Sequence, residues 1–296
     1  MHSAIPEPMY TPVSYTYTTI NDPNSYGLFT KVYGLDLVAG VIGSGLNLDQ
    51  QGTSIGFWSQ SPYSKFQGIN YPNAVSTTAA AVSQNGDVKA GYFIQAGGAI
   101  TYAFVFYKGL WTLYKDPKTK KGPGTTTAIL GINTSQIAVG WYTNAYGLPQ
   151  AFEEYNNHFT DIDPPYAVSS MATGINKVGD VVGTEVLSDG STASWIDKSG
   201  VFTTFSHPGS TDTEATGTND RDEIVGSYVD ASGQTHGFIV VNPGNPNKVV
   251  WQTIDEPNAG GMTVITGVND FRTICGWYVD STTTNTDGFV GTVKKG

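Results

Sequence analysis

Along most of the chain apolar and polar residues alternate in short runs bounded by Gly, Pro, Asn and Asp. TTTAILGIN (125–133), IAVGWYTN (137–144), PQAFEEYN (149–156) and HFTDIDPP (158–165) form one such paragraph. A period of two is that of strands with one buried face, and no stretch combines helical spacing with caps. The four runs predict a four-stranded antiparallel meander, A to D. Asn133 closes the A-to-B turn, bonding its own backbone and tolerating a left-handed conformation. Gly140 marks a place in strand B where another backbone approaches closely. Proline at the end of D removes a ladder donor, which fits only where pairing stops or at an edge.

The paragraph recurs. An apolar residue followed three positions later by proline appears as Ile20/Pro23, Ile69/Pro72, Tyr114/Pro117, Ile162/Pro165, Phe205/Pro208 and Ile254/Pro257, the prolines 43 to 49 residues apart. A second signature, G-[IVT]-N with a glycine nine positions on, reads GINTSQIAVG, GINKVGDVVG, GTNDRDEIVG and GVNDFRTICG, with degenerate copies GLDLVAGVIG and AVSQNGDVKA. In the last copy Ala81 and Ala90 stand where glycine is expected. A third is a small residue before an aromatic, as in Gly56-Phe57, Ser194-Trp195 and Gly288-Phe289. Four short strands per repeat of this length is the period of a propeller blade.

These signatures predict an all-β, six-bladed β-propeller of four-stranded antiparallel blades in a single domain, 1–296. The blades fall near 28–72, 77–117, 125–165, 169–208, 213–257 and 262–293. The chain opens on a D phrase, YTTINDPN, and its final paragraph lacks one. Residues 16–23 are therefore expected to supply the outer strand of the last blade and close the ring. A β-sandwich is the alternative architecture.

Composition narrows the function. The chain has 296 residues, a formal charge of −10 and only 14% charged residues. Nucleic acid is an unsuitable partner without a basic stripe, and no run is apolar and long enough for membrane insertion as a helix. Cys275, between strand-forming residues, reads as a buried inert thiol. MHSAIPEP has neither the basic nor the apolar region of a signal peptide.

The pattern G-I-N-x-x-G-x-I-V-G-x-Y-x-D-x-x-G-x-x-H-G-F, ending F-T-T-I-D-x-P-G, is similar to the HAF-repeat proteins; His236-Gly237-Phe238 matches the tripeptide of their name. The resemblance spans 16–293 and is strongest at 169–280. It implies a propeller and an extracellular location, and it carries no activity and no catalytic residue. Propellers of secondary metabolism, the fungal hetero-Diels–Alderases among them, offer a parallel at the level of fold.

In a propeller the D-to-A and B-to-C loops share a face beside the central channel, and here these loops vary while the frame repeats. Six equivalent lectin-like pockets are therefore disfavoured against one asymmetric pocket for a small organic molecule at the channel mouth. Its expected walls are Tyr26, Phe29, Tyr71, Tyr166 and Met262. Trp141 and Trp277 either stack on a ligand or fill space between blades. His207, before a D-strand proline, is either a solvated loop residue or a general acid–base group. Glu185, where other blades carry tyrosine, faces either solvent or a cavity. No metal-ligand spacing and no nucleotide loop occur, so the expected chemistry is a cofactor-independent lyase, isomerase or cyclase step. DASGQT and SDGST read as hairpin turns. A non-catalytic secreted binding or adhesion module is the alternative.

Overall fold

A computed structural model describes residues 10–25, 29–46, 53–95, 97 and 99–295. Among them the chain is all strand and turn, without a helix. Strand β1 (Tyr15–Ile20) comes first. Five four-stranded meanders follow. They are β2 (Thr30–Leu35), β3 (Val41–Leu46), β4 (Ser54–Ser59) and β5 (Phe66–Gly68); then β6 (Ala74–Val82), β7 (Val88–Gln95), β8 (Ile100–Tyr107) and β9 (Leu110–Tyr114). Next are β10 (Thr125–Ile132), β11 (Ala138–Thr143), β12 (Pro149–Tyr155) and β13 (His158–Asp161), and β14 (Ser169–Ile175), β15 (Val181–Val186), β16 (Thr192–Lys198) and β17 (Val201–Phe205). The fifth is β18 (Asp212–Thr218), β19 (Glu223–Val229), β20 (Thr235–Val241) and β21 (Val250–Ile254). The last unit holds β22 (Ala259–Val268), β23 (Ile274–Asp280) and β24 (Thr286–Val293), and β1 completes it, pairing antiparallel from Tyr15↔Val293 to Ile20↔Gly288.

Within each unit all pairings are antiparallel. Short parallel contacts, Thr125↔Ile100 and Thr235↔Met262, join two pairs of units, so hydrogen bonding gathers the strands into two eight-stranded and two four-stranded sheets. The first strands touch in succession, β2 on β6, then β10, β14, β18 and β22, and β22 again on β2.

The apolar core lies between units. Among the described residues the buried side chains form six clusters, and each draws on two consecutive units. Val182, Ile196 and Phe205 meet Ala215, Ile224 and Phe238, for example, and Ile20 and Val290 meet Val32 and Phe57. The third-strand aromatics Phe57, Phe104, Phe152, Trp195, Phe238 and Phe289 are fully buried there. Each such ring contributes roughly 2–3 kcal/mol through its burial. The small residue before the aromatic has a steric reason: a Cβ on Gly237 would stand 2.6 Å from the Ile254 carbonyl oxygen.

Each first strand carries a bulge, as at Ile129/Gly131 and Ala215/Gly217. The bulge presses a first-strand carbonyl against the glycine of the second strand. A Cβ on Gly140 would lie 1.9 Å from the Ala128 oxygen, and one on Gly226 1.9 Å from that of Glu214. In the second unit the equivalent residue is Gly91, 2.0 Å from the Thr78 oxygen on the same construction. Its turn is one residue longer, so the expected match at Ala90 is out of register by one.

The turn asparagines work differently from the expectation. Asn133 Oδ1 accepts from Ser135 N and Ile137 N, but the left-handed residue is Gln136 (φ 62°). The Asn133 amide donates across the seam to Asn176 O; Asn176 donates likewise to Asn219 O, Asn219 to Asn269 O, and Asn269 to Asp36 O. Each signature asparagine thus both closes its own turn and ties its unit to the next.

Candidate functional site

Alternation along the first strands fixes which side chains face the centre. Counting back from the bulge residues Gly34, Ala81, Gly131, Gly174, Gly217 and Gly267, the neighbouring position holds Tyr33, Ala80, Leu130, Thr173, Thr216 and Thr266. All six line a central cavity of about 80 Å³, room for a few waters. Thr173, Thr216 and Thr266 turn their hydroxyls onto carbonyls of the following unit, which narrows this end further.

Two residues nearer the start of each first strand, the column reads Lys31, Thr78, Ala128, Met171, Glu214 and Val264. Their antiparallel partners on the second strands are Ser44, Tyr92, Trp141, Thr184, Ser227 and Trp277. Paired residues share a face, so this layer forms a funnel above the cavity. Its large members Lys31, Tyr92, Trp141, Met171 and Trp277 are half-buried, while Val32, Ala79, Ile129, Ala172, Ala215 and Ile265 on the other face are buried.

The funnel is chemically lopsided. Lys31 Nζ lies 3.7 Å from the centroid of Trp277 and 5.4 Å from that of Phe29. Burial lowers its pKa below the ordinary lysine value. Below it burial and the neighbouring Tyr92 push the Tyr33 phenol up to about 12, so it stays a neutral donor. On β18, one strand beyond β22, Glu214 is exposed yet crowded by protein, and burial, then Asp212, raise its pKa. Beside it a cavity of about 140 Å³ opens between Met171, Glu185, Glu214 and Pro149.

Of the residues singled out from sequence, Trp141 and Trp277 belong to this funnel. Phe29 stands at its rim, bridged to Thr286. Met262 is half-buried nearby, in a cavity of about 120 Å³ with His236 and Asp255. Glu185 is buried, accepts a 2.7 Å hydrogen bond from Thr204 Oγ1, and lines the 140 Å³ cavity. Tyr166 sits exposed on a loop, 94% accessible, with φ 73°. Tyr26 lies outside the described residues.

His207 and Tyr71 occupy one repeated slot in the seams between units. Tyr71 stacks on Phe93 at 3.8 Å and His207 on Tyr228 at 3.7 Å, edge-on to Trp111 and Trp251 respectively. Their backbone N–H groups donate to Thr77 and Thr213 Oγ1, as those of Asp22, Asp116 and Glu256 do to the matching threonines. Burial holds the His207 pKa below the usual histidine value. Glu185 and His207 share no hydrogen bond. Behind Tyr228, His236 lies between Asp255 (3.0 Å) and Asp230 (3.4 Å).

Asp230 and Asp189 accept from Ser232 and Ser191 in their own turns. Among the described residues no three His, Cys, Asp or Glu side chains gather as a metal site. Cys275 is fully buried and its thiol is pushed up to about 12 by that burial. Lys31, Tyr33, Tyr92 and Glu214 escaped the sequence reading, which followed the loops. The signal was present in the aligned column, where one frame position runs through K, T, A, M, E and V.

No family model matches the chain, and no curated protein matches it. Solved structures do. TolB from Acinetobacter baumannii matches with TM-score 0.56 and 10% identity over 87% of this chain, which spans 66% of the TolB chain. The lectin of Aleuria aurantia, in complex with Fucα1-6GlcNAc, matches with TM-score 0.54 and 9% identity, covering 92% of this chain and 97% of that one. A Hadza microbial sialidase matches with TM-score 0.53 and 10% identity over 90% and 65%. At such identities the likeness concerns architecture alone: this chain is an all-β protein of four-stranded antiparallel units with propeller neighbours.

Proposed function

We propose that the six units close as the blades of one propeller and that its funnel takes a single small organic molecule. The observation that carries this reading is the non-repeating column Lys31, Thr78, Ala128, Met171, Glu214, Val264, set within a frame that repeats all around it. A pocket repeated in every blade would need one residue type at that position. One asymmetric pocket needs the opposite: aromatic walls, one cation and one acid at different points of the rim. Trp141, Tyr92 and Met171 provide apolar contact; Lys31, Tyr33 and Glu214 provide orientation.

The lectin and sialidase likenesses leave this site's ligand open, since they extend to the fold only. A cofactor-independent lyase or cyclase step is the catalytic extension of the reading. It would rest on holding the reacting parts together in an apolar funnel. The acid in that step is Glu214, whose carboxyl reaches the mouth. Glu185 and His207, bonded or stacked in place, support the walls.

A thermal-shift screen of flat, apolar small molecules tests the reading. Hits should bind one per chain by calorimetry and weaken about tenfold or more in Trp141→Leu and Trp277→Leu, as loss of an aromatic contact implies. Tyr166→Ala, on the exposed loop, should leave them unchanged. Several equivalent sites per chain, or hits indifferent to both tryptophans, would refute it.

A further inference from the structure

The chain carries 25 acidic and 15 basic residues, so a cation has carboxylates to choose from. Lys118 pairs with Asp161, Lys198 with Asp222, and Arg272 with Glu223. Lys31 does not. Among the described residues its ammonium makes no ion pair and no hydrogen bond, and its contacts are the faces of Trp277 and Phe29. A half-buried ammonium carries three donors, and a ring face offsets only part of its lost hydration. Such a group favours an anion brought to it.

The surroundings say which way that anion lies. Lys31 and Tyr33 are two residues apart on β2 and so share a face, one above the other, and Tyr33 lines the central cavity. Its phenol, kept neutral by burial and hydrogen-bonded to the Ser44 side chain, is a second polar group on the same face. On β18, separated from β2 by β22, stand Glu214 and Asp212, the latter already held by Thr192. They repel an anion from the fifth unit and favour the first-unit side, where the Lys31 ammonium has no carboxylate partner among the described residues. The seat is rimmed by Trp277, with Tyr92 and Trp141 further round the same layer.

We infer that the funnel ligand is a carboxylate on a flat apolar body, an aromatic or conjugated carboxylic acid, whose anionic group sits on Lys31 and Tyr33 while its body lies against Trp141 and Tyr92. This rests on the single-pocket reading and narrows it to one ligand class.

Calorimetric titration of the full chain with 2-naphthoate and with its neutral isostere 2-naphthamide separates the two ideas. The expected result is naphthoate tighter than naphthamide by about tenfold, the usual worth of a charge-assisted contact at a half-buried site. Lys31→Met should erase that ratio while leaving naphthamide affinity within about twofold, and Lys31→Arg should keep most of it. Circular dichroism and melting of each variant confirm that it folds. Equal affinities in the unaltered protein, or a ratio that survives in Lys31→Met, would overturn the anion seat and leave the pocket standing. If neither probe binds, both readings fall.

Discussion

Replacing Asn219 by alanine tests what holds the units together. The side chain is fully buried and makes four hydrogen bonds. Its Oδ1 accepts from Arg221 N at 3.0 Å and Glu223 N at 3.1 Å; its Nδ2 donates to Glu223 Oε2 at 2.7 Å and, across the seam, to Asn269 O at 3.0 Å. Alanine leaves the buried Glu223 N–H and Asn269 carbonyl without these partners. At about 1–3 kcal/mol for each stranded buried group, with partial relaxation, the loss should be about 4 kcal/mol. That corresponds to a melting temperature lower by roughly 8 °C for a chain of this size. Asn219→Ser divides the effect. The second unit has Ser83 at this place, whose Oγ accepts from Val88 N at 3.0 Å. Serine therefore keeps a turn acceptor but cannot reach the next unit. It should recover about half of the loss, by the same hydrogen-bond magnitudes. Urea unfolding followed by tryptophan fluorescence and by circular dichroism gives the midpoints. A loss below about 1 kcal/mol for alanine, or full recovery with serine, would refute the cross-seam role.

Two further outcomes follow from the same geometry. Gly140→Ala puts a Cβ 1.9 Å from the Ala128 oxygen and should cost at least about 3 kcal/mol, or prevent folding, as overpacking against backbone does. Gly200→Ala, at φ 84° with nothing within 4 Å, should cost only about 1 kcal/mol from its left-handed conformation; comparable losses in urea unfolding would remove the bulge argument. The stacked histidines should titrate in opposite directions. For His236, burial lowers the pKa but the Asp255 and Asp230 carboxylates outweigh it, so the folded value is raised. Its stabilisation is complete below the unfolded histidine pKa and is lost as pH rises through the raised value. For His207, burial lowers the folded value, so its contribution is present above the unfolded pKa and is lost as pH falls through the lowered one. Imidazole NMR titration checks this, and His207 titrating above His236 would contradict the assignment of causes.

The four-stranded antiparallel unit was legible because period-two alternation, turn residues and terminal prolines all agree at each strand. Strand ends were less so: in HFTDIDPP the strand covers His158–Asp161 and one further bond runs from Ile162 N to Ala151 O, after which the Asp163 carboxylate, a side chain, takes the Ala151 N–H. The asparagine signature was visible as a pattern, yet its cross-seam bond was not, since nothing local in GIN says that an amide faces another repeat. His207 shows the same limit. Its place in the phrase was plain, but its stacking on Tyr228, 21 residues later, is a packing fact.

The funnel escaped notice for a more specific reason. Alternation assigns residues to two faces, and a β-bulge interrupts the count; Val32 and Gly34 pair with consecutive residues Gly43 and Ile42 while Tyr33 is skipped. A reading that runs period two through the bulge places Lys31 and Leu35 on one face. In the structure Leu35 is buried between units whereas Lys31 looks into the mouth. The repeated bulge therefore lets one strand serve both purposes. Below it the chain packs the narrow end of the cavity; above it one column of positions varies while the alternate residues Val32, Ala79, Ile129, Ala172, Ala215 and Ile265 stay buried in the seams. That freedom is why a lysine and a glutamate can stand in a column whose other members are neutral.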